Sequence, residues 1–158
     1  MAQEVRLTGI HHVTLVARDI EAMVKFLTGV VGICLVKTTV NFDAQDQKHY
    51  YLGDDIGRPG TVVTFFEIPN MADNRLGAGG MHHIAFGVED EAALRAQIGR
   101  LDEMGIGHSE ILDRGYFKSL YIRGPEGLIV EFATAGPGFQ VDGEQVEGKY
   151  RPGSVAAQ

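Results

Sequence analysis

Two histidine doublets and one glutamate are the residues whose types and spacing best support chemistry. His11-His12 lies in Ile10-His11-His12-Val13-Thr14-Leu15, and His82-His83 lies in Met81-His82-His83-Ile84-Ala85-Phe86, with an offset of 71 residues from 12 to 83. The third group is Glu131, set between Val130 and Phe132. A carboxylate in a half-buried apolar strand is costly unless a cation or donor compensates it. Two imidazoles and one carboxylate suit a divalent transition metal and leave coordination positions open for substrate or oxygen. Each residue alone also reads as an ordinary polar side chain on a strand. That alternative stays open, and it is the combination that favours a metal. Cys34 is the single cysteine, so it cannot form an internal disulfide. Its neighbours Ile33 and Leu35 predict a buried, inert thiol.

An internal repeat must position these groups. Asp19 and Asp90 keep the same offset of 71, and each precedes a helical stretch. Gly57-Arg58-Pro59-Gly60 matches Gly124-Pro125-Glu126-Gly127 at an offset of 67. Each copy reads as a strand (Gly9 to Ala17; Gly80 to Val88) and then a helix (Ile20 to Val30; Glu91 to Met104). The two aspartates act as N-caps, and Gly32 and Gly105 are the stops. Three strands follow in each copy: roughly Ile33–Asn41, Lys48–Gly53 and Thr61–Ile68, then Gly107–Leu112, Lys118–Arg123 and Leu128–Thr134. The fold class is α+β: two βαβββ modules forming a curved, mostly antiparallel sheet around a metal cleft, with helices outside. The first module spans 1–70, a Gly/Asn/Asp-rich linker 71–79, the second module 80–139, and a polar C-terminal tail 140–158.

Strand alternation then decides what shares a face. Val13 and Leu15 turn to the helix with His11, whereas His12 and Thr14 turn away. His82, Ile84 and Phe86 form the core set, leaving His83, Ala85 and Gly87 opposite. Glu131 and Ala133 face away from Val130 and Phe132. Ser119, Tyr121 and Arg123 share the side of Glu131. At the offset of 67 the first module carries Thr64 where the second carries Glu131. Glu67 lies near Thr64 but has the opposite parity. The inferred site therefore has three ligands and is open.

Composition bounds the partners. The net charge of −7 and the absence of any Lys/Arg-rich run disfavour nucleic acid. Residues 1–6 lack the apolar core of a signal peptide, and no run approaches the roughly 18 apolar residues of a membrane span. Cytoplasmic residence and no membrane partner are the resulting expectations.

The repeat, with ligands on its first and last strands, resembles the vicinal oxygen chelate superfamily, which includes glyoxalase I, extradiol dioxygenases and bleomycin-type resistance proteins. The resemblance is strongest to hydroquinone-type ring-cleaving dioxygenases. It rests on Ile10–Leu15, Leu35–Phe42, Tyr50–Asp54, Gly57–Thr61, His82–Phe86, Asp113–Tyr121, Glu131–Thr134 and Gly136–Phe139. Those relatives are about twice as long, and this chain looks like their first and last modules joined. The resemblance implies His12, His83 and Glu131 as ligands for Fe(II), with Mn(II) or another divalent metal as alternatives. It also implies Arg114 and Tyr121 as residues touching substrate oxygens, and Thr14 beside the metal. His49 and Tyr51 are further candidates by parity. The implied partners are a small aromatic substrate, O₂ and a second copy of the chain in a homodimer. Three rival readings share the fold: a glyoxalase-type isomerase or thiol transferase, a drug-binding protein without catalysis, and a metal-holding relic without turnover. The absence of a carboxylate at Thr64 argues against the first, and the three ligand residues argue against the second.

Overall fold

The computed structural model describes residues 6–139, so the expected tail 140–158 lies outside the described residues. The chain divides into two compact units. One comprises residues through His83 together with Arg123–Ile129, and the other Ile84–Ile122 with the residues from Val130 onward.

In the first unit, β1 (His12–Ala17) leads into α1 (Ile20–Phe26), which continues as a π-helical turn over Leu27–Val31. The Asp19 carboxylate accepts the Ala22 amide at 2.9 Å and so caps α1. Gly32 stops the turn at a φ of 97°, a conformation only glycine adopts freely. Then come β2 (Cys34–Asn41), β3 (Ala44–Gly53) and β4 (Val62–Glu67), giving a sheet of order β1-β4-β3-β2. β1 runs parallel to β4, and the other pairs are antiparallel. Ile20, Met23 and Phe26 of α1 pack with Leu27, Leu52, Val63 and Phe65 to form the buried core.

The second unit repeats the plan with β5 (Ile84–Val88), α2 (Glu91–Glu103), β6 (Leu112–Asp113), β7 (Lys118–Arg123) and β8 (Ile129–Thr134). Asp90 caps α2 through the Ala93 amide at 2.9 Å. The sheet order is β5-β8-β7-β6, with β5 parallel to β8. Leu94, Leu101, Leu120, Ile122, Val130 and Phe132 form its core. The expected module order is therefore present twice, as two mixed four-stranded sheets.

Several boundaries depart from expectation. The strand expected over Gly107–Leu112 is reduced to β6 and one isolated bridge between His108 and Ile122. Here Ser109 takes over: its Oγ accepts the Tyr121 amide and its own amide donates to the Tyr121 carbonyl, both at 2.9 Å. Such side-chain bonds compete with a regular ladder. β3 begins four residues early, because the Asn41 side chain accepts the Asp43 amide and closes a two-residue hairpin loop. Cys34 is exposed, contrary to the buried thiol expected, because β2 is the terminal strand of its sheet. His11 and His82 precede β1 and β5 and are both exposed, so strand parity never places them in the core.

The turn over Pro125–Gly127 is built differently from its counterpart in the repeat. Glu126 holds a left-handed φ of 56°, and its carboxylate accepts the amides of Arg18 and Asp19 at 2.9 and 3.0 Å. Gly124 lies against α1, where an added Cβ would stand 2.5 Å from the Phe26 ring. The turn thus docks along α1 inside the first unit, with Glu126 at its N-cap and Gly124 against Phe26 at its end.

Candidate functional site

On the first unit, β1 and β4 place Thr14 opposite Thr64, and β3 places Tyr51 opposite Thr64. Together with His12 and His49 these residues occupy the face turned away from α1, as alternation requires. A hydrogen-bonded chain links them. Thr64 Oγ1 donates to Thr14 Oγ1 at 2.9 Å, which uses the one proton of Thr64. The 3.0 Å contact from His49 Nε2 must then be a donation to Thr64, which leaves His49 Nδ1 to accept from the Tyr51 hydroxyl at 3.2 Å. His49 is buried and lies against the Tyr51 and Phe66 rings. Burial, and then the neighbouring His12, lower its pKa, so the neutral imidazole this chain needs is favoured. Glu67 faces the helix side instead, accepting the Ile20 amide and pairing with Lys48 at 3.2 Å. That removes it from the face of His12, as parity predicted.

On the second unit, Ala85 stands opposite Glu131 in the register that Thr14 and Thr64 occupy in the first. The repeat thus carries a hydroxyl in one copy and a carboxylate in the other. Glu131 is only 3% exposed and accepts a hydrogen bond from the Ser119 hydroxyl. Two residues along β7, Tyr121 meets Arg114. The guanidinium donates a long 3.4 Å bond to the phenol and lies 5.7 Å from the ring centroid. Arg114 is held at its backbone, where its amide donates to the Phe117 carbonyl at 2.9 Å, while its side chain stays exposed.

Each histidine doublet is internally paired. The Nδ1 atoms of His11 and His12 are 3.0 Å apart, and those of His82 and His83 are 2.8 Å apart. For His12 to present a lone pair on Nε2, its proton must sit on Nδ1 and be donated to His11. His11 then serves as the acceptor that holds the ligand tautomer.

Among the described residues, no three His, Cys, Asp or Glu side chains are gathered as a metal-holding group. His12 and His83 fall in the first unit and Glu131 in the second. Within one unit the structure brings together His49 with Thr14, Arg114 with Tyr121, and Glu131 with Ser119. Alternation had already put Ser119 on the side of Glu131, but nothing in the sequence marked it as the bonding partner. The sequence marks Thr64 only by the carboxylate it replaces, whereas in the structure it is the hub of the His49–Thr14 chain.

A model of the Glyoxalase/Bleomycin resistance protein/Dioxygenase superfamily matches residues 9–132. The chain is 37% identical over 123 residues to a Bacillus subtilis protein named "Putative ring-cleaving dioxygenase MhqE", covering 78% of this chain and 37% of that one. It is 26% identical over 156 residues to the chlorohydroquinone/hydroquinone 1,2-dioxygenase of Sphingobium indicum, covering 93% of this chain and 44% of that one. Among solved structures, a "putative dioxygenase" from Bacillus subtilis superposes with a TM-score of 0.65 at 29% identity, over 80% of this chain and 40% of that one. The chain spans less than half the length of these relatives.

Proposed function

The chain belongs to the glyoxalase/bleomycin resistance protein/dioxygenase superfamily, and from that membership we propose that it is a ring-cleaving dioxygenase acting with O₂ on a hydroquinone or catechol-like substrate. The observation that carries this reading is the arrangement on β7 and β8. A buried carboxylate, Glu131, is held by Ser119 two residues from a tyrosine that lies under a guanidinium.

The donor chemistry fits a divalent metal. His12 and His83 offer imidazole nitrogen, and Glu131 offers a carboxylate that Ser119 orients. We assign these three as the ligands, with Fe(II) as the resident ion and Mn(II) as the alternative. When bound, such an ion lowers the pKa of a coordinated phenol and couples the electrons of the ring to O₂. The remaining work falls to the protein. Arg114 holds the anionic substrate oxygen, a local task because a net charge of −7 attracts no anions in general. Tyr121 holds or moves a proton at its hydroxyl. On the first unit, neutral His49 moves a proton between the Tyr51 hydroxyl and Thr64, and Thr14 receives the end of that chain. Ala85, Gly87 and Ala133 leave room for a flat ring. No helix among the described residues is long and apolar enough to cross a membrane. We place the protein in the cytoplasm as a homodimer.

The test is anaerobic reconstitution with Fe(II), followed by oxygen-electrode assays against hydroquinones and catechols. Oxygen uptake with stoichiometric ring-opened product is the expected result. Turnover of a thiol adduct without O₂, and no uptake with any aromatic, would assign a glyoxalase-type reaction instead.

A further inference from the structure

Val13 and Leu15 face the helix side of the first sheet yet are only half-buried. The space beside them is a cavity of about 440 Å³ within the first unit. Phe65, register partner of Leu15 and fully buried, belongs to its wall, as does Met23 of α1; Met71 and Met81 enclose it from the segment after β4. Because β1 is the terminal strand of its sheet, its edge is also wall, and Thr14 and Val16 border the cavity there. The volume falls in the range of roughly 300–1,000 Å³ usual for small-molecule sites.

The polar groups decide the class of ligand. Arg18 is the lining cation, and it pairs with Asp73 at 2.8 Å. Glu126 also lines the cavity, with its carboxylate engaged by the Arg18 and Asp19 amides. One cation against two carboxylates gives no attraction for a carboxylate or phosphate ligand. Three thioethers and a phenylalanine offer soft contacts that suit the face and edge of an aromatic ring. The Arg18–Asp73 pair can exchange a hydrogen bond with one hydroxyl. We propose that this cavity is a second ligand site, taking a neutral aromatic molecule with a single hydroxyl. Its apolar wall lies on the helix side of β1, away from the face of His12, while Thr14 and Val16 border it at the strand edge. It stands independently of the reaction assigned above, since none of the six residues that carry it (Val13, Leu15, Met23, Phe65, Met71 and Met81) is a candidate ligand or catalytic group.

The experiment is a titration of the full chain, without added metal, with 2-naphthol, read by the ¹³C-methyl resonances of methionine. Met23, Met71 and Met81 line the cavity, whereas Met104, at the end of α2, does not. The three cavity methyls should shift along one saturating curve while Met104 stays put. Ala72→Trp, placed on the exposed linker wall, should weaken that curve at least tenfold. Shifts that include Met104, shifts linear to the solubility limit, or an Ala72→Trp protein that binds like the parent would each overturn the proposal.

Discussion

The hydroxyl of Ser119 on β7 donates to the Glu131 carboxylate on β8, and both side chains are buried. A metal-binding carboxylate held this way keeps its orientation before the ion arrives. Ser119→Ala is therefore expected to keep the fold and weaken Fe(II) or Mn(II) binding about 10–100-fold, the usual cost of losing such a partner. Glu131→Gln should abolish binding. Competition against a chelator reads both, and an unchanged affinity in Ser119→Ala would refute the orienting role.

Under the proposed ligand assignment, each histidine doublet divides into one ligand and one acceptor. His12→Ala and His83→Ala should lose the metal. His11→Ala should retain it with affinity reduced about 10–100-fold, because His12 loses the acceptor for its Nδ1 proton. His11→Gln, whose amide oxygen can still accept, should fall between His11→Ala and the parent. Metal content after dialysis against graded chelator orders the four proteins. Full retention in His12→Ala with loss in His11→Ala would reverse the assignment.

Arg114 and Tyr121 are expected to fail in different ways. Tyr121→Phe keeps the ring under the guanidinium but removes the proton, so kcat should fall about 10²–10⁴-fold with KM little changed. Arg114→Met removes the charge that holds the substrate, so KM should rise first. Oxygen-uptake kinetics separate the two. A loss confined to KM in Tyr121→Phe would remove the proton-handling role.

His108 offers a pH test that does not involve the metal site. Its Nδ1 is 2.7 Å from the Ser109 carbonyl and its Nε2 is 3.1 Å from Asp102. The Ser109 carbonyl and then Asp102 favour the doubly protonated ring and raise its pKa. A raised folded-state pKa gives stability that is fully present below the unfolded value of about 6.5. That stability is lost as pH climbs through the higher folded value. The fall in Tm across this window should flatten in His108→Gln. Equal slopes in parent and variant would show that the imidazole contributes nothing there.

The fold was legible because its signals are local and doubled. The Asp19 and Asp90 caps, the glycine stops and the offset of 71 each appear in the chain before any contact is known. The offset of 67 likewise placed Thr64 and Glu131 at matching register positions, and alternation turned Glu67 away. What could not be read depends on what a strand lies beside. Cys34 looks like a core residue until β2 proves to be terminal. Ser109 looks like strand until its hydroxyl takes the Tyr121 amide. His11 and His82 obey parity only if the strand reaches them, and it does not. The bonds from Ser119 to Glu131 and from Thr64 to Thr14 join residues 12 and 50 positions apart, a distance no local pattern spans.

Arg123–Ile129 belongs to the first unit, although most of β7 and most of β8 belong to the second. Neither unit is a continuous stretch of chain, and the polypeptide passes between them three times. During synthesis, at about 5–20 residues per second, folding usually follows the order of emergence. Here the amides of Arg18 and Asp19 wait for an acceptor more than a hundred residues downstream. The first unit therefore completes itself only after Ile84–Ile122 of the second has left the ribosome. A gene split in the linker would leave the first fragment without Glu126, and the Arg18 and Asp19 amides without that carboxylate. The duplicated halves have become unequal in time as well as in sequence: the earlier one is finished by a turn borrowed from the later.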